Sequence, residues 1–109
     1  MVELTTEDII GLNTVAIMRV AKCLDIETED KTFTQIFSDI SDTEDSLYEL
    51  LDNFIAIYRQ YQNFHLILDE KEFSGEERTE QDIERLMNHM KSRDAARREL
   101  IDALLERNC

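Results

Sequence analysis

The chain has 109 residues, a net charge of −13, 42% hydrophobic and 34% charged residues, no proline and only two glycines. That length sets one small domain, and the scarcity of turn formers predicts few, long helices. The acid excess disfavours direct contact with nucleic acid or an anionic membrane, since both need a concentrated basic face. No apolar run approaches the roughly 20 residues of a membrane span.

The charge is unevenly placed. Residues 25–52 hold ten acids and one base, and residues 69–84 hold eight acids and two bases. Residues 85–109 hold six bases and four acids, so the C-terminal part is mildly basic. Residues 1–6 lack the basic region and apolar core of a secretion signal. Cys23 and Cys109 make no disulfide framework, which predicts a reducing, cytoplasmic setting.

In chain order, Thr5 or Thr6 caps a first helix with Glu7 and Asp8 in its first turn, favourable beside the positive end of the helix dipole. Ile9, Ile10, Leu12, Val15, Ala16, Ile17, Val20, Cys23 and Leu24 cover more than one of its faces. Such a helix is expected to be mostly buried, inside the domain or against a second copy, which predicts a homodimer. Cys23 is expected as a small buried hydrophobe and Cys109 as an exposed thiol. Residues 25–31 form a charged connector. Phe33, Ile36, Phe37 and Ile40 then recur at helical spacing, which predicts two turns of amphipathic helix over 32–40.

The longest element is predicted over 42–70. Leu47, Leu51, Phe54, Tyr58, Tyr61, His65 and Leu68 alternate at spacings of four and three, with Leu50, Ile57 and Phe64 beside them, giving a wide apolar stripe. Ser41 and Glu44 have the spacing of a capping box at its start. The stripe places His65 and the aromatic cluster of Phe54, Tyr58, Tyr61 and Phe64 in the core. Residues 71–75 break the pattern at Gly75, and Ser74 with Glu77 repeats the capping-box spacing, so the last helix is expected over 76–107. Its stripe is Ile83, Leu86, Met87 and Met90, then Leu100, Ile101, Leu104 and Leu105. Arg93, Asp94, Arg97 and Arg98 interrupt it, marking a close helix approach or a polar contact surface. The fold class is therefore all-α: a small bundle of three long helices and one short helix, with a long antiparallel C-terminal hairpin.

The sharpest chemical spacing is Glu76-Glu77-x-x-Glu80 followed by Glu99-x-x-Asp102. It resembles the carboxylate signature of the MazG-like nucleotide pyrophosphohydrolases, all-α enzymes that place four acids around magnesium. The resemblance implies a magnesium-dependent nucleotide hydrolase with Glu76, Glu77, Glu80, Glu99 and Asp102 as candidate ligands, since hard Mg²⁺ takes oxygen donors and bridges them to phosphates. The flanks depart from that family, whose two motifs lie in apolar-striped helices facing one pocket; here the first follows a glycine in a polar stretch. His65 and His89 lack partners at metal-ligand spacing. No cofactor and no catalytic residue is expected.

The leading expectation is a non-enzymatic protein that binds another protein through its acidic blocks. Asp39, Asp42, Glu44, Asp45, Glu49 and Asp52 fall at one end of the long helix. Glu72, Glu76, Glu77 and Glu80 fall at the other. Carboxylates so spread attract a basic-surfaced partner such as a nuclease or other nucleic-acid-binding protein, competing with its nucleic acid. In size, acidity and lack of motifs the chain resembles small phage-encoded antagonists of such machines. Two readings stand beside it: charge that only keeps the protein dispersed, and a helical adaptor docking through its apolar stripe.

Overall fold

The computed structural model describes residues 12–109. They form α1 (Leu12–Cys23), α2 (Phe33–Thr43), α3 (Asp45–Phe73) and α4 (Glu80–Glu106), with no strand among the described residues. The protein is an all-α helical bundle built on a long antiparallel hairpin, α3 against α4. The capping of the first helix by Thr5 or Thr6 lies outside the described residues. No helix among them is long and apolar enough to cross a membrane.

Caps fix the element boundaries, and they are not all where the spacing alone puts them. Thr32 opens α2: its hydroxyl accepts from Gln35 N (3.1 Å), and Gln35 Oε1 accepts from Thr32 N (2.9 Å). The expected Ser41–Glu44 box does not form. Instead α2 runs on to Thr43, whose hydroxyl donates back to Asp39 O, and Glu44 is the extended residue between α2 and α3. The reason is packing, because Ile36, Phe37 and Ile40 are all buried and hold α2 helical past Ser41. The Ser74–Glu77 box is likewise absent. Thr79 and Asp82 make the reciprocal pair that starts α4, leaving Glu76 and Glu77 in the turn.

Three of the four described helices, α1, α3 and α4, end in the same way. After α1, Ile26 N donates to Ala21 O and Asp25 N to Lys22 O; after α3, Glu76 N donates to Lys71 O and Gly75 N to Glu72 O. After α4, Cys109 N donates to Leu104 O and Asn108 N to Leu105 O. Each is a Schellman closure, which needs a left-handed residue at the first position past the cap. Asp25, Gly75 and Asn108 supply it with φ of 55°, 90° and 60°.

The core sits at one end of the hairpin. Ile17, Val20 and Ala21 of α1, Ile36, Phe37 and Ile40 of α2, Leu47, Leu51, Phe54 and Ile55 of α3, and Ala96, Leu100 and Leu104 of α4 form one cluster. Beyond Phe54 the hairpin continues as two helices alone, with Phe64 and Leu68 buried between them. The molecule measures 49 × 29 × 19 Å, and its radius of gyration of 15.9 Å exceeds the ~13 Å of a compact chain this long.

Three core expectations are corrected. Ile83, Met87 and Met90 of α4, with Leu105, are exposed, because only the stripe through Leu86, His89, Ala96, Leu100 and Leu104 turns toward α3. His65 is half-exposed rather than buried, with Nδ1 3.0 Å from Asp69 Oδ2. Val15 and Met18 of α1 face outward, so α1 is buried along one face rather than all round.

The cysteines are not independent. Cys23 and Cys109 form a disulfide with Cα atoms 5.5 Å apart, tying the end of α1 to the residue after Asn108. The closure that ends α4 turns Cys109 back against the bundle and meets Cys23 at the last position of α1. Cys109 is exposed as expected but is paired rather than a free thiol, Cys23 is half-buried and bonded to it rather than a buried hydrophobe, and the bond removes the basis for expecting a reducing setting.

Candidate protein-docking surface

At each end of α3 some acids are paired within the fold and others are exposed. At the hairpin tip three acids are answered from within. Arg78 in the turn pairs with both Asp69 (3.0 Å) and Glu72. Lys71 donates to Asp82 Oδ2 at 2.7 Å, and Thr79 N donates to the same oxygen at 3.0 Å. The Lys71 hydrogen bond first, and then the one from Thr79 N, pull the Asp82 carboxyl down to about 2. Glu76, Glu77 and Glu80 remain exposed at the tip.

At the base, two of the expected docking acids serve the fold. Lys31 donates to Asp39 Oδ2 at 2.7 Å across eight residues, tying the connector to α2. Glu44 accepts from Ser46 Oγ (2.7 Å) and from Arg107 Nη2 (3.2 Å), joining the start of α3 to the end of α4. The Ser46 hydroxyl, and after it Arg107, hold Glu44 below the ordinary carboxylate value.

Asp42, Asp45 and Glu49 differ. All three are exposed, and no described cation lies within ion-pair distance of them. Asp52, half-buried, lies one turn further along the same side of α3. At 100° per residue, Asp45, Glu49, Asp52, Gln60 and Ile67 share one flank of α3. Tyr58, Tyr61 and His65 occupy the flank on its far side, where they line an open groove of about 310 Å³ with Gln62, Leu66 and Arg93. The acidic field acts locally: Tyr48 is pushed above the usual phenol value by burial first, then by Asp52 and Asp45.

Between the acidic ends lies a basic waist. Arg85 stacks over Phe64 at 4.8 Å from the ring centroid and Arg93 over Tyr61 at 4.5 Å, while Lys91, Arg97 and Arg98 are exposed on α4. Charge is therefore segregated along the long axis rather than forming one acidic ridge. The Arg93–Arg98 interruption is a polar surface, except that Ala96 is buried where α4 meets the core.

The structure does not bring the hydrolase-like acids together. Glu76 and Glu77 are in the turn and Glu80 opens α4, whereas Glu99 and Asp102 lie near its other end. The 19-residue separation of Glu80 and Glu99 on one helix spans about 28 Å. Among the described residues no group of three or more His, Cys, Asp or Glu side chains is arranged to hold a metal ion. His89 packs its ring 5.1 Å from that of Phe64.

Lys31, Lys71, Arg78 and Arg107, the bases that pair with Asp39, Asp82, Asp69, Glu72 and Glu44, carry no spacing signal, since Arg107 and Glu44 are 63 residues apart. Compared with known proteins, the chain matches no family model, no curated protein and no solved structure.

Proposed function

We propose that the protein acts without catalysis by binding a basic-surfaced protein through Asp42, Asp45, Glu49 and Asp52, and so obstructs that partner's contact with nucleic acid. The observation that carries this reading is the exposure of Asp42, Asp45 and Glu49 at one end of α3 with no described cation within ion-pair distance, whereas neighbouring Asp39 and Glu44 are held by Lys31 and Arg107. Exposed carboxylates on a rigid helix accelerate encounter with a cationic surface and exclude anionic competitors from it. The tip acids Glu76, Glu77 and Glu80 are also exposed and add to the acidic field at the other end of the hairpin.

The test is capture of partners from lysate with elution in salt steps, comparing the wild type with Asp45→Asn/Glu49→Gln/Asp52→Asn. The proposal expects a nuclease or other nucleic-acid-binding protein, released at moderate salt, displaced by added DNA or RNA, and lost on the triple change. A partner that withstands high salt and ignores the triple change would refute it in favour of apolar docking. Exposed Leu66, Ile67 and Phe73 are the side chains available for that. Magnesium-dependent nucleotide hydrolysis lost in Glu80→Gln would refute it in favour of the enzyme.

A further inference from the structure

α4 carries two seams. One, through Leu86, His89, Ala96, Leu100 and Leu104, packs on α3. The other, Ile83, Met87, Met90, Asp94, Arg97 and Ile101, steps along the neighbouring face at the alternating four-and-three spacing of a coiled-coil contact, with Leu105 one turn beyond. It is uncovered: Ile83, Met87, Met90 and Leu105 are exposed, and Ile101 is half-buried. Near its middle, Asp94, Arg97, Arg98 and Ile101 line an open depression. Asp94 accepts from Arg93 at 3.1 Å, yet its side chain stays 63% exposed.

The central four residues of this second seam are their own complement when reversed. With a two-fold axis between Ala95 and Ala96, Asp94 of one copy faces Arg97 of the other, and Arg97 faces Asp94. Met90 meets Ile101; Met87 falls opposite Leu104, itself buried in the core, with exposed Leu105 beside it. A parallel arrangement would instead set Asp94 against Asp94 and Arg97 against Arg97. Apolar layers flanking a central pair of opposite charges fix both orientation and register, the role polar groups play in helical interfaces. From these observations we infer that the occupant of the face is a second copy of this chain, bound through an antiparallel α4–α4 contact.

Exposed Val15 of α1 lines the groove beside Arg97 and Ile101 and adds to the covered area. The flank bearing Asp45, Glu49 and Asp52 lies on the other side of the hairpin and stays open, so this dimer stands independently of the docking proposal. Lys91 and Arg98 of opposite copies meet at the rim, where solvent and salt screen them. A strip about 33 Å long and one helix wide lies at the small end of stable interfaces, so the association expected is weak and concentration-dependent.

The experiment is sedimentation equilibrium of the full chain up to about 1 mM, reading mass against the monomer value of 12.9 kDa. Four proteins are compared: wild type, Asp94→Arg, Arg97→Asp and the double exchange. The changed residues are on the surface, and circular dichroism checks that helix content is retained. Wild type is expected to approach twice the monomer mass. Each single change should weaken association about tenfold or more by setting like charges together, and the double exchange should restore it. A monomer at every concentration overturns the proposal. So does a dimer indifferent to both single changes, which would be using another face. Failure of the double exchange to recover overturns the antiparallel register.

Discussion

Reducing the Cys23–Cys109 bond removes a cross-link between residues 86 apart in sequence. In the chain-entropy treatment a closed loop of that length restricts the unfolded chain by about 15 cal/mol/K, or about 4.6 kcal/mol at 25 °C. A domain of this size holds roughly 5–15 kcal/mol of net stability, so the bond accounts for a large fraction. An unfolding entropy of about 0.23 kcal/mol/K converts the loss into about 20 °C of Tm. The folded state loses little by comparison, since Ile17, Val20 and Ala21 keep α1 in the core without the bond. Urea unfolding followed by circular dichroism, with and without a dithiol reductant, measures this directly. The reduced protein should unfold at a lower midpoint and with a steeper dependence on urea, because an open unfolded chain exposes more surface. Cys23→Ser should behave as the reduced protein does under either condition. Coincident midpoints for oxidised and reduced protein would refute the reasoning, as would two titratable thiols in unreduced, denatured protein.

Asp82 gives a pH dependence of known sign. Its carboxyl is held at about 2, first by the Lys71 hydrogen bond, so its contribution is complete above the unfolded value near 3.9 and is lost as pH falls toward 2. Asp82→Asn should flatten thermal stability between about pH 4 and 2, measured as Tm. Gly75→Ala tests the left-handed closure after α3. A Cβ there meets nothing within 4 Å and φ is +90°, so any loss is conformational, about 1–2 kcal/mol in urea unfolding, and no loss would mean that the turn relaxes freely.

The periodicity of the sequence contains most of the architecture. Leu47, Leu51, Phe54 and Leu68 are buried as their spacing requires, and the α3–α4 hairpin forms around the break at Gly75. Boundaries are less legible because the chain offers several sites with capping-box spacing, and of Thr32/Gln35, Ser41/Glu44, Ser74/Glu77 and Thr79/Asp82 it uses only the first and last. Tertiary contacts choose among them: burial of Ile40 carries α2 past Ser41, and Lys71 reaching across to Asp82 favours the later start of α4. Apolar spacing on α4 also does not say how many helices are present to cover it. With only α3 alongside over its first half, Ile83, Met87 and Met90 are left outside. The acid blocks are visible in the sequence, but the internal pairing of some of their members is not. It depends on Arg78 in the turn and on Arg107 returning to Glu44. The disulfide was illegible for the same reason, although Asn108 is a residue suited to a left-handed helix closure.

A core confined to one end of a long hairpin divides the molecule into parts that need not open together. The basal cluster links all four described helices and is closed by the disulfide, so opening it amounts to global unfolding. The distal arm rests on Phe64, Leu68 and a few ion pairs, and its amides are accordingly the first to exchange with solvent. A partner held at the base grips the cooperative part of the molecule, while the arm remains a lever that breathes on its own.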